Sequence, residues 1–279
     1  MRESPERLDP ARDGGPAPVA SRAGHREWIQ RPRPNPAARL RLVCLPYSGG
    51  RASAFKGLAA DLPDVVEVCA VELPGHGRRL GEPPLTRLGP LVEQVTDAVD
   101  EEVRRPFVLL GYSVGALIGF ETARELARRG RPGPEALFVG AARAPHLRST
   151  RPPLHELTRA DLVEGLHQLA GQHNPMLDNE ELVDVMLPVI RADLGLDETY
   201  DHESGRPLDC PIAAFGGSED ATVPRAGLEG WGAHTTGDFT VTTLPGGHFF
   251  IDTARQRFAW AVTGQLERLH AGRGEAWRP

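Results

Sequence analysis

Residues 107–119 read FVLLGYSVGALIG. Four large apolar residues run into Gly111-Tyr112-Ser113-Val114-Gly115, and a second apolar stretch follows. A short run this apolar reads as a strand buried on both faces, which belongs in a parallel sheet covered by helices. The serine is then the anomaly, because a hydroxyl in a buried segment costs free energy unless it finds a partner. A strand, then G-x-S-x-G, then a helix is the context in which such a serine is lifted onto a tight turn above the sheet edge. Gly111 and Gly115 supply the small neighbours that let the backbone close that turn. The helix that begins there directs its first N–H groups at the same point, so the amide of Val114 is a candidate donor to an oxyanion.

The rest of the chain repeats the pattern. Strands are expected over 39–45 (RLRLVCL), 65–71, 107–110, 136–139, 212–215 and 239–244, with helices over 54–61, 88–103, 116–129 and 253–269. Such alternation predicts an α/β fold, a mostly parallel central sheet with helices on both faces. Residues 147–203 break the rhythm. Two amphipathic stretches, 158–169 and 179–194, follow one another with no strand between them, which predicts an inserted helical lid over the C-terminal edge of the sheet.

The ends differ from this middle. Residues 1–36 are rich in Pro, Arg, Gly and Asp and hold few large apolar groups, so they are read as a disordered leader. The folded domain is expected over 37–272, with a short tail at 273–279. Net charge is −6, and no concentrated basic stretch could neutralise a row of phosphates, so nucleic acid is not an expected partner. The three cysteines, Cys44, Cys69 and Cys210, are scattered without metal-binding spacing. They suit a reducing compartment. No apolar run reaches membrane-spanning length. A cytoplasmic monomer without metal is the resulting expectation.

A serine hydroxyl needs a base to become a nucleophile. On a sheet of this kind the partners follow in the order Ser, acid, His. Of the late histidines, His234 precedes the last strand and His270 lies in the tail region. His248 follows that strand in LPGGHFF (244–250), where two glycines allow a turn. The orienting acid is expected at Asp220, in the loop after strand 212–215, with Glu219 as its neighbour and competitor. Asp209 precedes its strand and falls at the wrong end of the sheet. The loop after strand 136–139 carries no acid. A second oxyanion donor is expected from Pro46-Tyr47-Ser48-Gly49-Gly50, with the Ser48 amide favoured and Tyr47 the alternative.

The segments LPYSGG (45–50), ELPGHGRR (72–79), GYSVG (111–115), GAARAP (140–145), LPVIRADLGLDETY (187–200), FGGSEDATV (215–223) and GGHFF (246–250) together resemble the type II thioesterases of polyketide and non-ribosomal peptide synthesis, a branch of the α/β-hydrolases. The resemblance spans residues 39–270. Tyr112 and Tyr47 depart from it, because histidine is common at both positions. The resemblance implies a Ser113–His248–Asp220 triad, no cofactor, and hydrolysis of acyl groups from the phosphopantetheine arm of acyl or peptidyl carrier proteins. It also implies an acyl pocket beneath the lid. Leu157, Leu162, Leu166, Met176, Leu182, Met186 and Ile190 are candidates to line it, with Tyr47 and Tyr112 beside the chemistry. Arg143, Arg148, Arg151 and Arg159 are a candidate basic patch for an acidic carrier. A general carboxylesterase or an acyltransferase remains open on the same residues.

Overall fold

The computed structural model describes residues 28–149, 151–170 and 178–271. Seven strands form one sheet: β1 (Ile29–Gln30), β2 (Leu40–Leu45), β3 (Val66–Val71), β4 (Phe107–Tyr112), β5 (Leu137–Gly140), β6 (Ile212–Gly217) and β7 (Phe239–Leu244). The order across the sheet is β1-β3-β2-β4-β5-β6-β7, and every pairing but β1–β3 is parallel. The helices are α1 (Lys56–Asp61), α2 (Leu88–Glu102), α3 (Val114–Arg128), α4 (Arg159–Ala170), α5 (Glu180–Glu198), α6 (Arg225–Glu229), α7 (Phe250–Thr253) and α8 (Arg255–Ala271).

Strand periodicity sorts the core into two layers. Val43, Leu45, Cys69, Val71, Phe107 and Leu109 face α2 and α3, whose Leu91, Val95, Ile118 and Leu126 complete that layer. Leu42, Cys44, Val68, Ala70, Val108, Leu110 and Tyr112 face the other way, against Leu58 of α1 and Phe258, Val262 and Leu266 of α8. Both faces are therefore dry, which is why these strands are apolar at nearly every position. From β2 the chain steps outward to β3, then returns to β4 on the other side of β2. This reversal leaves a crevice between the C-terminal ends of β2 and β4, where α/β sheets place their sites.

Two expectations are corrected at their edges. The expected leader ends too late: Trp28 and Ile29 are buried, the Trp28 carbonyl accepts from Glu72 N at 2.8 Å, and Ile29 and Gln30 pair with Val71 and Ala70. The Arg79 guanidinium lies 4.0 Å from the centre of the Trp28 ring. Two apolar residues in a polar segment are too few to shift its average composition, yet they suffice to add an edge strand. Residues 1–27 and the expected tail 273–279 lie outside the described residues. The helix expected from 253 starts earlier, as α7 directly after GGHFF, and breaks at Ala254 before α8.

The insertion between β5 and β6 holds α4 and α5. With Leu154, which precedes α4, they form a small apolar cluster of their own, in which Leu154, Leu162, Val183, Leu187, Ile190 and Leu194 are buried together.

Candidate active site

Ser113 sits at the junction of β4 and α3 with φ 53° and ψ −122°. This left-handed backbone is unfavourable for a residue with a Cβ and persists only where surrounding structure enforces it. The enforcement is visible. A Cβ on Gly111 would lie 2.1 Å from the Gly115 carbonyl oxygen, and one on Gly115 would lie 2.2 Å from the Leu45 oxygen. The start of α3 thus packs directly on the backbone of β2 and β4, and the Ser113 amide is held by the Gly140 carbonyl at 2.8 Å.

His248 Nε2 lies 3.2 Å from Ser113 Oγ, and its Nδ1 lies 2.8 Å from Asp220 Oδ2. Asp220 Oδ1 accepts from the Thr222 hydroxyl at 2.6 Å, the Thr222 amide at 2.9 Å and the Val223 amide at 3.2 Å. Burial works to raise the carboxyl's pKa, but the bonds and charge from His248 and the donors of Thr222 outweigh it and hold it below the ordinary aspartate value. An ionised carboxylate only accepts, so Nδ1 must carry a proton toward it. In the neutral ring this leaves the Nε2 lone pair facing the serine hydroxyl. The competing residues are elsewhere. Glu219 is exposed, Asp209 pairs with Arg206 at 2.9 Å, His234 meets His146 at 2.7 Å, and His270 Nδ1 faces the Leu266 carbonyl at 2.9 Å.

The loop after β2 lies beside the serine because Leu45 is in register with Gly111. Gly50 N bonds back to Tyr47 O at 2.7 Å, which closes the loop as a turn, and Gly49 adopts φ 72°. Tyr47, Ser48, Ser113, Val114 and His248 all border one cavity of about 1380 Å³, which Leu166, Leu182, Met186 and Ile190 also line. The Tyr47 ring stands edge-on to those of Tyr112 and Phe249. Burial, reinforced by Asp252 and only partly offset by Arg51, pushes its hydroxyl pKa up to about 12, so it stays neutral.

Tyr112 does not reach the cavity, and its expected contact with substrate is corrected. It is wholly buried, because successive strand residues point to opposite faces, and Tyr112 points toward α8. Its hydroxyl donates to the His248 carbonyl at 2.5 Å and accepts from the Ile251 amide at 3.3 Å. It therefore props the loop that carries His248. Leu157 and Leu162 belong to the α4–α5 apolar cluster and do not border the cavity, and Met176 lies outside the described residues. Of the expected basic patch, Arg143 pairs with Asp197 at 2.9 Å, Arg159 with Asp184 at 2.9 Å and Arg148 with Asp201 at 3.7 Å, while Arg151 lies on the cavity rim.

Three polar residues near the site escape a reading by position alone. Thr222 was visible as part of FGGSEDATV but its bond to Asp220 was not. His76 and Asp193 lie in two of the resemblance segments, 117 positions apart, and meet at 2.8 Å. Nothing in one sequence links them.

A family model described as a thioesterase domain matches residues 40–266. The gramicidin S biosynthesis protein GrsT of Aneurinibacillus migulanus is 38% identical over 245 residues, which is 88% of this chain and 96% of that protein. Among solved structures, the RedJ thioesterase from the prodiginine biosynthetic pathway of Streptomyces coelicolor superposes with a TM-score of 0.78 at 40% identity, covering 89% of this chain and 91% of that one. The type II thioesterase BorB from the borrelidin biosynthetic cluster gives a TM-score of 0.79 at 37% identity, covering 86% and 97%.

Proposed function

The chain belongs to the thioesterase family, and from that premise we propose that it is a type II thioesterase that removes acyl groups from the phosphopantetheine arm of acyl or peptidyl carrier proteins, for editing of stalled carriers or product release. The observation that carries the reading is the 3.2 Å approach of Ser113 Oγ to His248 Nε2 at the floor of a cavity large enough for an acyl chain. His248 takes the hydroxyl proton as Ser113 Oγ bonds to the thioester carbonyl carbon. The negative charge on the carbonyl oxygen is held by the amides of Val114 and Ser48. The C–S bond breaks, and the carrier thiol leaves with the proton from His248. Its pKa near 8.5 makes it a good leaving group. Water then gives a proton to the same nitrogen, attacks the acyl-enzyme and releases the acid with Ser113 restored. Asp220 stabilises the imidazolium that forms twice in each cycle.

In this reading α4 and α5 are the lid of the acyl pocket, and Met186 and Ile190 touch the acyl chain. Hydrolysis of one acyl group is to be compared on a carrier protein and on a small pantetheine thioester, with Ser113→Ala as control. The expected result is a carrier advantage of about tenfold or more in kcat/KM, equivalent to about 1.4 kcal/mol, lost in the variant. Equal rates on both thioesters with faster cleavage of an oxygen ester would instead identify a general esterase.

A further inference from the structure

Asp193 lies on α5 and is only 2% exposed. Its Oδ2 takes two hydrogen bonds at once, from the Gly49 amide at 2.7 Å and from His76 Nε2 at 2.8 Å. The other ring nitrogen of His76 lies 3.0 Å from the Pro74 carbonyl oxygen. A carbonyl and a carboxylate both accept, so both nitrogens must donate and the ring is held as a cation. Burial opposes that charge, but the bond and charge of Asp193, the Pro74 carbonyl and the charge of Glu72 outweigh it, and the pKa of His76 is raised. One turn before Asp193, Ile190 presses on the same glycine: a Cβ on Gly49 would lie 2.6 Å from Ile190 Cγ1. The lid helix therefore grips the loop after β2 at two points, one polar and one apolar, both at the residue following Ser48.

A buried ion pair is weak evidence for a role in stability, since apolar packing of the same volume serves as well. This pair has a third member, a backbone amide one residue from the donor assigned to the oxyanion. We propose that Asp193 is a positioning residue for the oxyanion hole: it fixes the Ser48–Gly49 segment from the lid, with His76 holding the carboxylate in place. The inference rests on the serine-hydrolase reading above. It makes the seating of α5 and the assembly of the hole a single event, because α5 cannot lift by a few ångströms without releasing the Gly49 amide.

The test uses the full chain, a small acyl thioester and an alkyl boronic acid. Boron bonds to Ser113 Oγ, the serine proton passes to His248, and the tetrahedral boronate places an oxygen in the hole. Loss of one oxyanion donor typically costs about 10²–10³ in rate. Asp193→Ala is expected to lower kcat by about 10²-fold, to weaken the boronate by a similar factor, and to leave KM within about threefold. Asp193→Asn keeps an acceptor for the Gly49 amide and is expected to recover about tenfold of that loss; it also carries the test if the alanine variant does not fold. Leu162→Ala, which loosens the lid cluster without touching the loop, is expected to lower the melting temperature and spare boronate affinity. The proposal is overturned if both Asp193 variants keep kcat and boronate affinity within about threefold of the parent, if KM alone rises, or if Leu162→Ala weakens the boronate as much as Asp193→Ala does. Failure of the underlying reading looks different: Ser113→Ala would then hydrolyse the thioester at the parental rate.

Discussion

Among the described residues, two buried histidine–aspartate pairs share the same 2.8 Å separation, His248–Asp220 beside the cavity and His76–Asp193 at the junction of α5 with the loop after β2. They differ in what faces the far side of the ring. His248 offers its second nitrogen to a hydroxyl, a group that can give up a proton. His76 offers its second nitrogen to a carbonyl, a group that can only accept one. A proton can therefore pass from the hydroxyl to the first ring, whereas the second ring faces an acceptor on both sides and has no proton to take from either. A contact distance alone does not tell a proton carrier from a strut. The chemistry of the third partner does.

The sharpest way to break this comparison is at the aspartates. Asp220→Asn presents an amide to Nδ1 and favours the wrong tautomer of His248, so kcat is expected to fall about 10⁴-fold with KM little changed, read by steady-state kinetics on an acyl thioester. A fall of less than about tenfold would remove His248–Asp220 from the catalytic role. A smaller effect is expected behind the ring. Tyr112→Phe leaves the His248 carbonyl and the Ile251 amide without the hydroxyl that serves both. Urea unfolding should show a loss of about 1–3 kcal/mol, with kcat falling far less than in Asp220→Asn. The smallest effect tests the clamp. The pKa of His76 is raised above 6.5 on folding, so its pairing contributes fully below that value and fades as pH rises through the higher folded pKa. Melting temperatures of the parent and His76→Gln should thus differ most at about pH 6 and converge on the alkaline side. A gap that widens with pH would mean that the ring is neutral in the native state.

The sequence was most informative where a single local rule decides the outcome. The elbow at Ser113 was legible because Gly111 and Gly115 are the only residue type that fits against Leu45 and α3. The positions of Asp220 and His248 were legible because each follows a strand, at the end where the sheet places its loops. Tyr112 was misread through proximity: it neighbours Ser113 in sequence, but strand alternation sends it to the opposite layer. β1 was missed because two residues carry no periodicity. The His76–Asp193 contact was invisible for a different reason. It depends on how an inserted helix settles on a loop 144 residues away, as the Gly49–Asp193 bond makes plain, and no local pattern encodes that.

The two-residue β1 has a practical corollary for anyone wishing to shorten this chain. It caps the outer side of β3, where Ile29 and Gln30 pair with Val71 and Ala70, and its neighbour Trp28 covers the flat face of Arg79. A trimmed chain that began at residue 37 would leave the β3 edge bare along Ala70 and Val71, a ready template for a strand from another molecule. Any shortened form for crystallisation or tagging should therefore retain Trp28, Ile29 and Gln30, although they lie within the proline- and arginine-rich stretch.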